Sequence, residues 1–274
     1  MSSILFFCVS FFASIAGAIC GIGGGVIIKP TLDLFHLDSV ATVSFLSGCT
    51  VLAMSCYSVT KSMRAGDSRV DLKVGTPLAI GAAVGGVVGK QMFSAISARF
   101  AETAGAVQAV CLFAITLATM LYTLNKSRIR TRRIFKAWVC LAIGLVLGIM
   151  SSFLGIGGGP INLVVFYFFF SMDTKTAAQN SLYVILISQV TSLLATLVTR
   201  SVPTFGWLSL LLMVAGGIGG GVGHDGQLGN VSPGVRHAGQ GHLRCEIGPL
   251  EPHVLRCQLF LISDLLEQRA VLFG

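Results

Sequence analysis

The chain has 274 residues, of which 54% are hydrophobic and only 11% are charged, and its mean hydropathy is +0.83. This composition excludes a soluble globular domain and predicts an all-α, polytopic transmembrane helical bundle. The formal net charge of +8 does not indicate a nucleic-acid partner, because basic loops and a basic tail account for it.

Seven apolar segments are long enough, or nearly so, for the ~20 residues that a helix needs to cross a bilayer. In chain order they are residues 4–28, 40–60, 74–93, 104–124, 137–170, 178–199 and 204–223. The first segment has no basic leader and stays apolar through Ile28, so we expect a membrane span and not a cleaved signal peptide.

Two basic loops set the predicted orientation. Residues 61–73 carry four lysines and arginines, and residues 126–136 carry six, so both loops are predicted to be cytoplasmic. When each segment is counted as one crossing, the amino terminus and Arg200 also fall inside. The scattered cations Lys29, Arg99 and Lys175 then fall outside. The predicted location is the cell (cytoplasmic) membrane, with multiple spans.

The pentapeptide Gly-Ile-Gly-Gly-Gly occurs at residues 21–25 and again at 155–159, each time inside an apolar segment. Glycine costs a helix about 1 kcal/mol relative to alanine, so four in five positions favour a broken helix. Glycine also lets membrane helices pack closely. That second interpretation suits the glycines that recur every four residues, namely Gly81, Gly85 and Gly89, and Gly144 and Gly148.

The glycine motifs belong to an internal repeat. An offset of 134 residues also superposes Val84 to Gly86 on Ile218 to Gly220. The pattern predicts a first transmembrane repeat at 1–124, a basic cytoplasmic linker at 125–136 and a second, incomplete repeat at 137–223. Four spans in the first repeat would return the chain to its starting side, so the repeats are expected to be parallel in topology.

Residues 224–274 break with this pattern. They contain four of the five histidines, and no apolar run among them is long enough to span a membrane. The repeats therefore have four and three spans where four and four are expected. We interpret this atypical, non-membrane tail as the product of a reading-frame shift near codon 223 or as a divergent tail. A chain without the eighth span is expected to insert poorly.

A broken membrane helix can serve as an anion cradle, because it exposes N–H groups and the positive end of a helix dipole. Polar side chains after each break could add hydrogen bonds to the same anion, or could join helices to one another. The candidate substrate-binding residues are Gly23, Gly24, Gly25, Gly157, Gly158, Gly159, Asn162, Thr42, Ser44, Asn180 and Ser181. No lysine or arginine lies centrally in the predicted spans, and Lys29 is either a rim cation or a boundary anchor.

The spans lack the residues that catalysis or metal binding would need. They contain no histidine, no CxxC pair and no carboxylate near a span centre. We therefore predict no enzyme activity, no metal and no cofactor. The predicted function is that of a membrane permease or exporter of a small anion. The alternatives are a non-transporting assembly or sensor subunit and, less favoured, a membrane-embedded enzyme.

These features resemble a known family. The two glycine motifs, followed by Pro30 and Pro160, and the pairs Gly85–Gly86 and Gly219–Gly220 are similar to the signatures of the sulfite exporter TauE/SafE family. The resemblance covers residues 1 to about 223. It implies two four-helix halves and transport of sulfite, sulfonate or a related small sulfur-containing anion. The implied partners are this small anion and the lipid bilayer, and no oligomeric state is predicted.

Overall fold

A computed structural model describes residues 2–34, 40–66, 68–99, 101–125, 136–154, 158–200, 202–203, 205–228, 259 and 263. Most of the predicted linker and tail lie outside these residues, as does Gly157. The described residues form helices and no strands. In chain order the helices are α1 (Ser2–Cys20), α2 (Gly25–Leu34), α3 (Val40–Arg64), α4 (Leu72–Arg99), α5 (Ala101–Asn125), α6 (Ala137–Leu154), α7 (Pro160–Phe170), α8 (Thr174–Val198) and α9 (Trp207–Leu228).

Four of these helices are long and apolar enough to cross a membrane, within the part of the chain that is described: α3, α4, α6 and α8. Shorter apolar stretches lie in α1, α5, α7 and α9. The all-α, multi-pass architecture predicted from composition is therefore confirmed. The expected breaks at the glycine motifs are present too, between α1 and α2 and between α6 and α7.

Each break is a reversal of the chain. A β-carbon added at Gly17 in α1 would lie 2.3 Å from the amide nitrogen of Gly24, so the start of α2 folds directly back onto α1. The turn needs glycine, because Gly21 and Gly23 have φ angles of 68° and 78°. The amide of Gly23 donates to the carbonyl of Gly17 at 3.3 Å, which satisfies one of the last carbonyls of α1.

The relative directions of the helices follow from close contacts at successive glycines. When two helices are parallel, the residue numbers of their contacting residues increase in the same direction. This is the case for α1, α3 and α9, where the contacts are Gly216 with Phe7, Gly220 with Phe11, Gly217 with Thr50 and Gly221 with Met54. The same holds for α4, α6 and α8: Gly81 with Leu141, Gly85 with Leu145, Gly75 with Asn180 and Gly86 with Ser188.

The two groups of helices run in opposite directions. The side chains of Val51 in α3 and Ile185 in α8 both meet Gly23, whereas Gly48 of α3 faces Gln189, which is further along α8. The helices α3 and α8 are therefore antiparallel. Since α1 and α3 start at the same end, α1 and α2 form a hairpin that returns to that end, and α6 and α7 do the same from the other end.

The expectation of parallel repeats is wrong for this reason. Each glycine-motif segment was counted as a single crossing, but it is a hairpin with no net crossing. The elements before the linker then make an odd number of crossings, namely α3, α4 and α5, and the second half starts from the opposite end. The two halves are consequently inverted, as in many secondary transporters.

The halves interlock through glycine. A β-carbon at Gly85 in α4 would lie 2.1 Å from the carbonyl oxygen of Leu145 in α6, and one at Gly144 would lie 2.1 Å from that of Leu78. The corresponding contact is between α9 and α1, where a β-carbon at Gly220 would lie 2.8 Å from the carbonyl oxygen of Phe11. The packing role predicted for the four-residue glycine spacing is confirmed.

The reversal also changes which basic residues share a membrane side. Arg69, in the α3–α4 corner, lies 3.8 Å from the carboxylate of Asp173 in the α7–α8 corner. We call the end of the bundle that holds both corners the basic end. Lys175 is therefore at the basic end, whereas Arg200 and the start of α1 are at the opposite end. The placement of the amino terminus and Arg200 beside the basic loops is wrong.

Cysteine accessibility tests this arrangement. In a cysteine-free variant, Ser68→Cys and Asp173→Cys should react with a membrane-impermeant maleimide from the same side, and Val202→Cys from the other. The basic end is expected to be cytoplasmic, so only Val202→Cys should react in intact cells. Labelling of Asp173→Cys but not of Val202→Cys would instead support single crossings at the glycine motifs.

Candidate functional site

The two chain reversals meet inside the bundle. A β-carbon at Gly159 would lie 2.6 Å from Cγ2 of Val26 and 3.5 Å from the carbonyl oxygen of Ile22. Ile22 lies within the first glycine break, Val26 is in the first turn of α2, and Gly159 ends the second break. The two repeated motifs, which are 134 residues apart in the sequence, are thus in direct contact.

A single side chain of α8 separates them on one side. Ile185 is 1% exposed, and its Cγ1 would lie 2.7 Å from a β-carbon at Gly158. Its Cδ1 would lie 3.3 Å from one at Gly23. Ile185 is near the middle of α8, which spans 25 residues, so the two breaks converge at mid-membrane depth.

The helices that follow the breaks both begin at this point. α2 starts at Gly25 and α7 starts at Pro160, which has no N–H. The amides of Ile27 and Asn162 donate to the carbonyls of Gly24 and Gly159 at 3.0 and 3.1 Å, so the amides without an acceptor in their own helix are those of Gly25, Val26 and Ile161. Gly159 precedes α7 with a φ angle of 112° and makes no side-chain capping hydrogen bond. The positive ends of two helix dipoles, at the amino termini of α2 and α7, therefore lie close together in an apolar interior. This arrangement is favourable for a bound anion.

A small cavity of about 10 Å³ lies beside the second break. Its lining consists of Ala82, Leu147, Gly148, Ser151, Gly158, Asn162, Val184, Ile185 and Ser188. Three of these residues have side chains that can donate a hydrogen bond, and each is at most 8% exposed: Ser151, Asn162 and Ser188. The volume suits about one water molecule, so little free space remains beside these polar groups.

Asn162, which lines this cavity, has an apolar counterpart in the first half. At an offset of 134, the residue that corresponds to Asn162 is Ile28, which is fully buried among apolar side chains. Gly24 packs instead against α1, where a β-carbon would lie 3.1 Å from the carbonyl oxygen of Ala13. The backbone plan is repeated, but the side chain at this position differs between the halves.

Lys29 lies in the interior, contrary to the expectation that no cation is central. It is 5% exposed, and its Nζ donates a hydrogen bond to the carbonyl oxygen of Leu154 at 3.2 Å. Leu154 is the last residue of α6, so the ammonium caps the negative end of that helix beside the second break. The corresponding residue in the second half is Leu163, which is 2% exposed.

Three predicted polar candidates lie away from this centre: Thr42 and Ser44 are in the first turns of α3, and Asn180 is near the start of α8, at the other end of the bundle. Ser181 lies one turn before Ile185 on α8, and its buried Oγ has no hydrogen-bond partner among the described residues. Asn180 joins α8 to the α3–α4 corner: its Nδ2 donates to the carbonyl of Arg69 at 3.1 Å, and its Oδ1 accepts from the amide of Asp71 at 3.0 Å.

The structure therefore brings together Gly23, Gly158, Gly159 and Asn162 and adds Ser151, Ser188 and Lys29, which the sequence did not single out as site residues. Gly24 and Gly25 are buried at the start of α2. Serine is common in membrane helices, so nothing local distinguished Ser151 and Ser188. The signal for Lys29 was its position one turn after a glycine break. Within the described ranges, no group of three or more His, Cys, Asp or Glu side chains could hold a metal ion.

Inverted halves with crossed hairpins and half-helices that begin at mid-membrane define a transporter-type fold among multi-pass membrane proteins. The sequence profile described as Sulfite exporter TauE/SafE matches residues 6–224, and the chain belongs to this family. It is a membrane transporter by this relationship.

The chain is also 24% identical over 239 residues to the probable membrane transporter protein YunE of Bacillus subtilis (strain 168). The match covers 81% of this chain and 86% of that relative. No solved structure matches the chain. The family match ends at residue 224, next to the point where the repeat pattern stops.

The close packing of Ile185 against Gly158 can be tested by measuring the thermal stability of variants at these positions. Gly158→Ala should lower the thermal unfolding midpoint in detergent, because it adds a methyl group 2.7 Å from Ile185 Cγ1 at a φ angle of 123°. We expect a cost of about 2 kcal/mol or more. Gly66→Ala is the matched control: its φ angle is 69°, but nothing lies within 4 Å of the added carbon.

The Ile185→Ala background separates the two causes. Removal of the larger side chain should reduce the effect of Gly158→Ala, since the overlap is relieved and only the backbone strain remains. Equal effects of Gly158→Ala in both backgrounds, or equal effects of Gly158→Ala and Gly66→Ala, would show that the contact is not tight.

Proposed function

We propose that the protein is a permease or exporter of a small oxyanion, with sulfite, sulfonates and related sulfur-containing anions as the substrate class. The substrate class rests on the family to which the chain belongs. The transported anion is proposed to bind between the two glycine breaks, around Gly158, Asn162, Ser151 and Ser188, with Gly23 and Gly159 forming the opposite wall.

The observation that carries this proposal is the convergence of two half-helix amino termini on Ile185. Unpaired N–H groups are expensive in the hydrocarbon layer unless they line a site or meet a partner. A fold that places two such ends together, beside three buried polar side chains, is suited to a negatively charged ligand. An oxyanion accepts hydrogen bonds only, and these groups can all donate them.

Neutral donors also suit release. A transported ion must leave as readily as it enters, and a fully desolvated ion pair with a buried cation would hold it tightly. Here the ammonium of Lys29 lies about one helical turn from the cavity. It binds the carbonyl of Leu154, which follows the cavity residue Ser151 by three positions on α6. We propose that Lys29 favours an anion through its field and not through a direct ion pair.

The cavity of about 10 Å³ is too small for an oxyanion, and we propose that this arrangement is a closed state of the transport cycle. Binding requires the contact between Gly159 and Val26 to open. Movement of one half against the other around a central site is the usual mode of alternating access.

The alternative of a non-transporting sensor or assembly subunit predicted continuous, tightly packed helices at the glycine motifs. The described residues show breaks at both motifs instead, so this alternative has no support from the geometry. The alternative of a membrane-embedded enzyme gains no support from the described residues near the breaks, whose buried polar side chains are mainly serine and asparagine.

Flux through reconstituted vesicles tests the proposal. Asn162→Ile should lower sulfite flux by about tenfold or more, because a hydrogen bond to a charged group is worth about 1.5–3 kcal/mol. The unfolding midpoint should change little, since isoleucine occupies the corresponding place in the first half. Gln189→Leu is the control: this buried amide in α8 faces Gly48 and not the cavity, so flux should persist.

The outcomes separate the function from the site. No flux of sulfite, sulfonate or another small anion through the folded wild-type protein would contradict the proposed function. Normal flux with Asn162→Ile would leave the function intact and remove Asn162 from the site.

Lys29 is tested in the same vesicles. Lys29→Met should lower anion flux severalfold while the unfolding midpoint stays equal or rises, because an apolar replacement avoids the cost of a buried charge. Leu163→Met, at the corresponding position of the other half, should have no effect on flux. If Lys29→Met lowers the midpoint but leaves flux per folded protein unchanged, the ammonium serves only to cap α6.

A further inference from the structure

A second concave surface lies between α3 and α9 and extends to the basic end. It is an open, mainly apolar groove of about 740 Å³. Its lining residues are Ala53, Cys56, Tyr57, Thr60, Lys61, Arg64, Ala65 and Ile218. We call it the α3–α9 groove.

One face of α3 builds most of this groove, since its lining positions recur every three or four residues. Ala53 and Ala65 are small and leave the space open, and Ile218 of α9, which is 41% exposed, forms the other wall. The aromatic ring of Tyr57 packs against α9, where a β-carbon at Gly221 would lie 3.0 Å from its Cδ1. The groove therefore offers a shaped apolar surface about as large as a ligand pocket.

Two cations stand at one end of the groove. Lys61 and Arg64 are both exposed, and they occupy the last turn of the apolar span Thr42–Arg64. The Nζ of Lys61 lies 5.7 Å from the centre of the Tyr57 ring, which holds the ammonium over the groove. At the end of a span these charges are level with the lipid headgroups.

The usual reasons for such cations do not explain the groove. Cations at a cytoplasmic helix end set orientation and stabilise the helix dipole, but neither role needs a concave apolar surface beside them. The groove is also not the position of an eighth span. In the first half, α5 contacts α4, α6 and α7, and the corresponding contacts in the second half would be with α9, α1 and α2, which leaves α3 uncovered.

We propose that the α3–α9 groove binds an anionic phospholipid. The phosphate would lie against Lys61 and Arg64, with the hydroxyl of Thr60 as a further donor, and an acyl chain would follow Ala53, Cys56 and Ile218 into the bilayer. Charge complementarity selects the headgroup, and the apolar walls within the span select a lipid over a soluble phosphate. This site is independent of the proposed transport function.

Titration of the purified full-length protein with phosphatidylglycerol and with phosphatidylcholine of the same acyl chains tests this site by native mass spectrometry. Wild-type protein should prefer phosphatidylglycerol. Lys61→Gln with Arg64→Gln should reduce that preference by at least about fivefold, because each basic residue at the surface contributes about that much to anionic-lipid binding. Ala53→Phe, which fills the apolar groove without a change in charge, should remove this bound lipid altogether.

The control is Lys73→Gln with Lys136→Gln. It removes the same charge from exposed positions at the same end but outside the groove, and the preference should remain. An equal loss in this control, or no preference in the wild type, would overturn the proposal. Equal binding of glycerol phosphate, which has no acyl chain, would show a soluble phosphate site and would overturn it as well.

Discussion

The direct contact between two chain reversals is the feature on which the rest of this structure depends. A chain that turns back inside a membrane must satisfy or shelter its free backbone groups, and here each reversal shelters the other. Gly159 lies against Ile22 and Val26, and Ile185 fills the space at their side. Because each reversal cancels a crossing, the same feature inverts the second half and brings α2 and α7 together by their positive ends.

The halves share a backbone plan but differ in chemistry. Asn162 lines a polar cavity where the first half has Ile28, and Lys29 caps α6 where the second half has Leu163. The polar cavity and the ammonium of Lys29 therefore both lie beside the second break. Such divergence is expected where the repeat supplies the geometry and single substitutions supply selectivity.

The tight glycine contacts limit how the protein can move. The helices α4 and α6 approach so closely at Gly85 and Gly144 that neither could slide past the other without a clash, and α1 and α9 are joined in the same way. Each pair contains one helix from each half. Opening of the central site is therefore expected at the contact between the two hairpins, where the side chains of Val26 and Ile185 fill the space beside Gly159 and Gly158.

The sequence by itself determined the membrane class, the breaks at both glycine motifs and the packing role of Gly85 and Gly144, because apolar run length and glycine spacing are local properties. Only the tertiary structure decided that each break is a reversal, since a run of glycines permits a kink or a full turn equally well. The count of crossings, the membrane side of Lys175, the separation of Asn180 from Asn162 and the burial of Lys29 all follow from that choice. They depend on contacts between residues more than 100 positions apart, which no local pattern encodes.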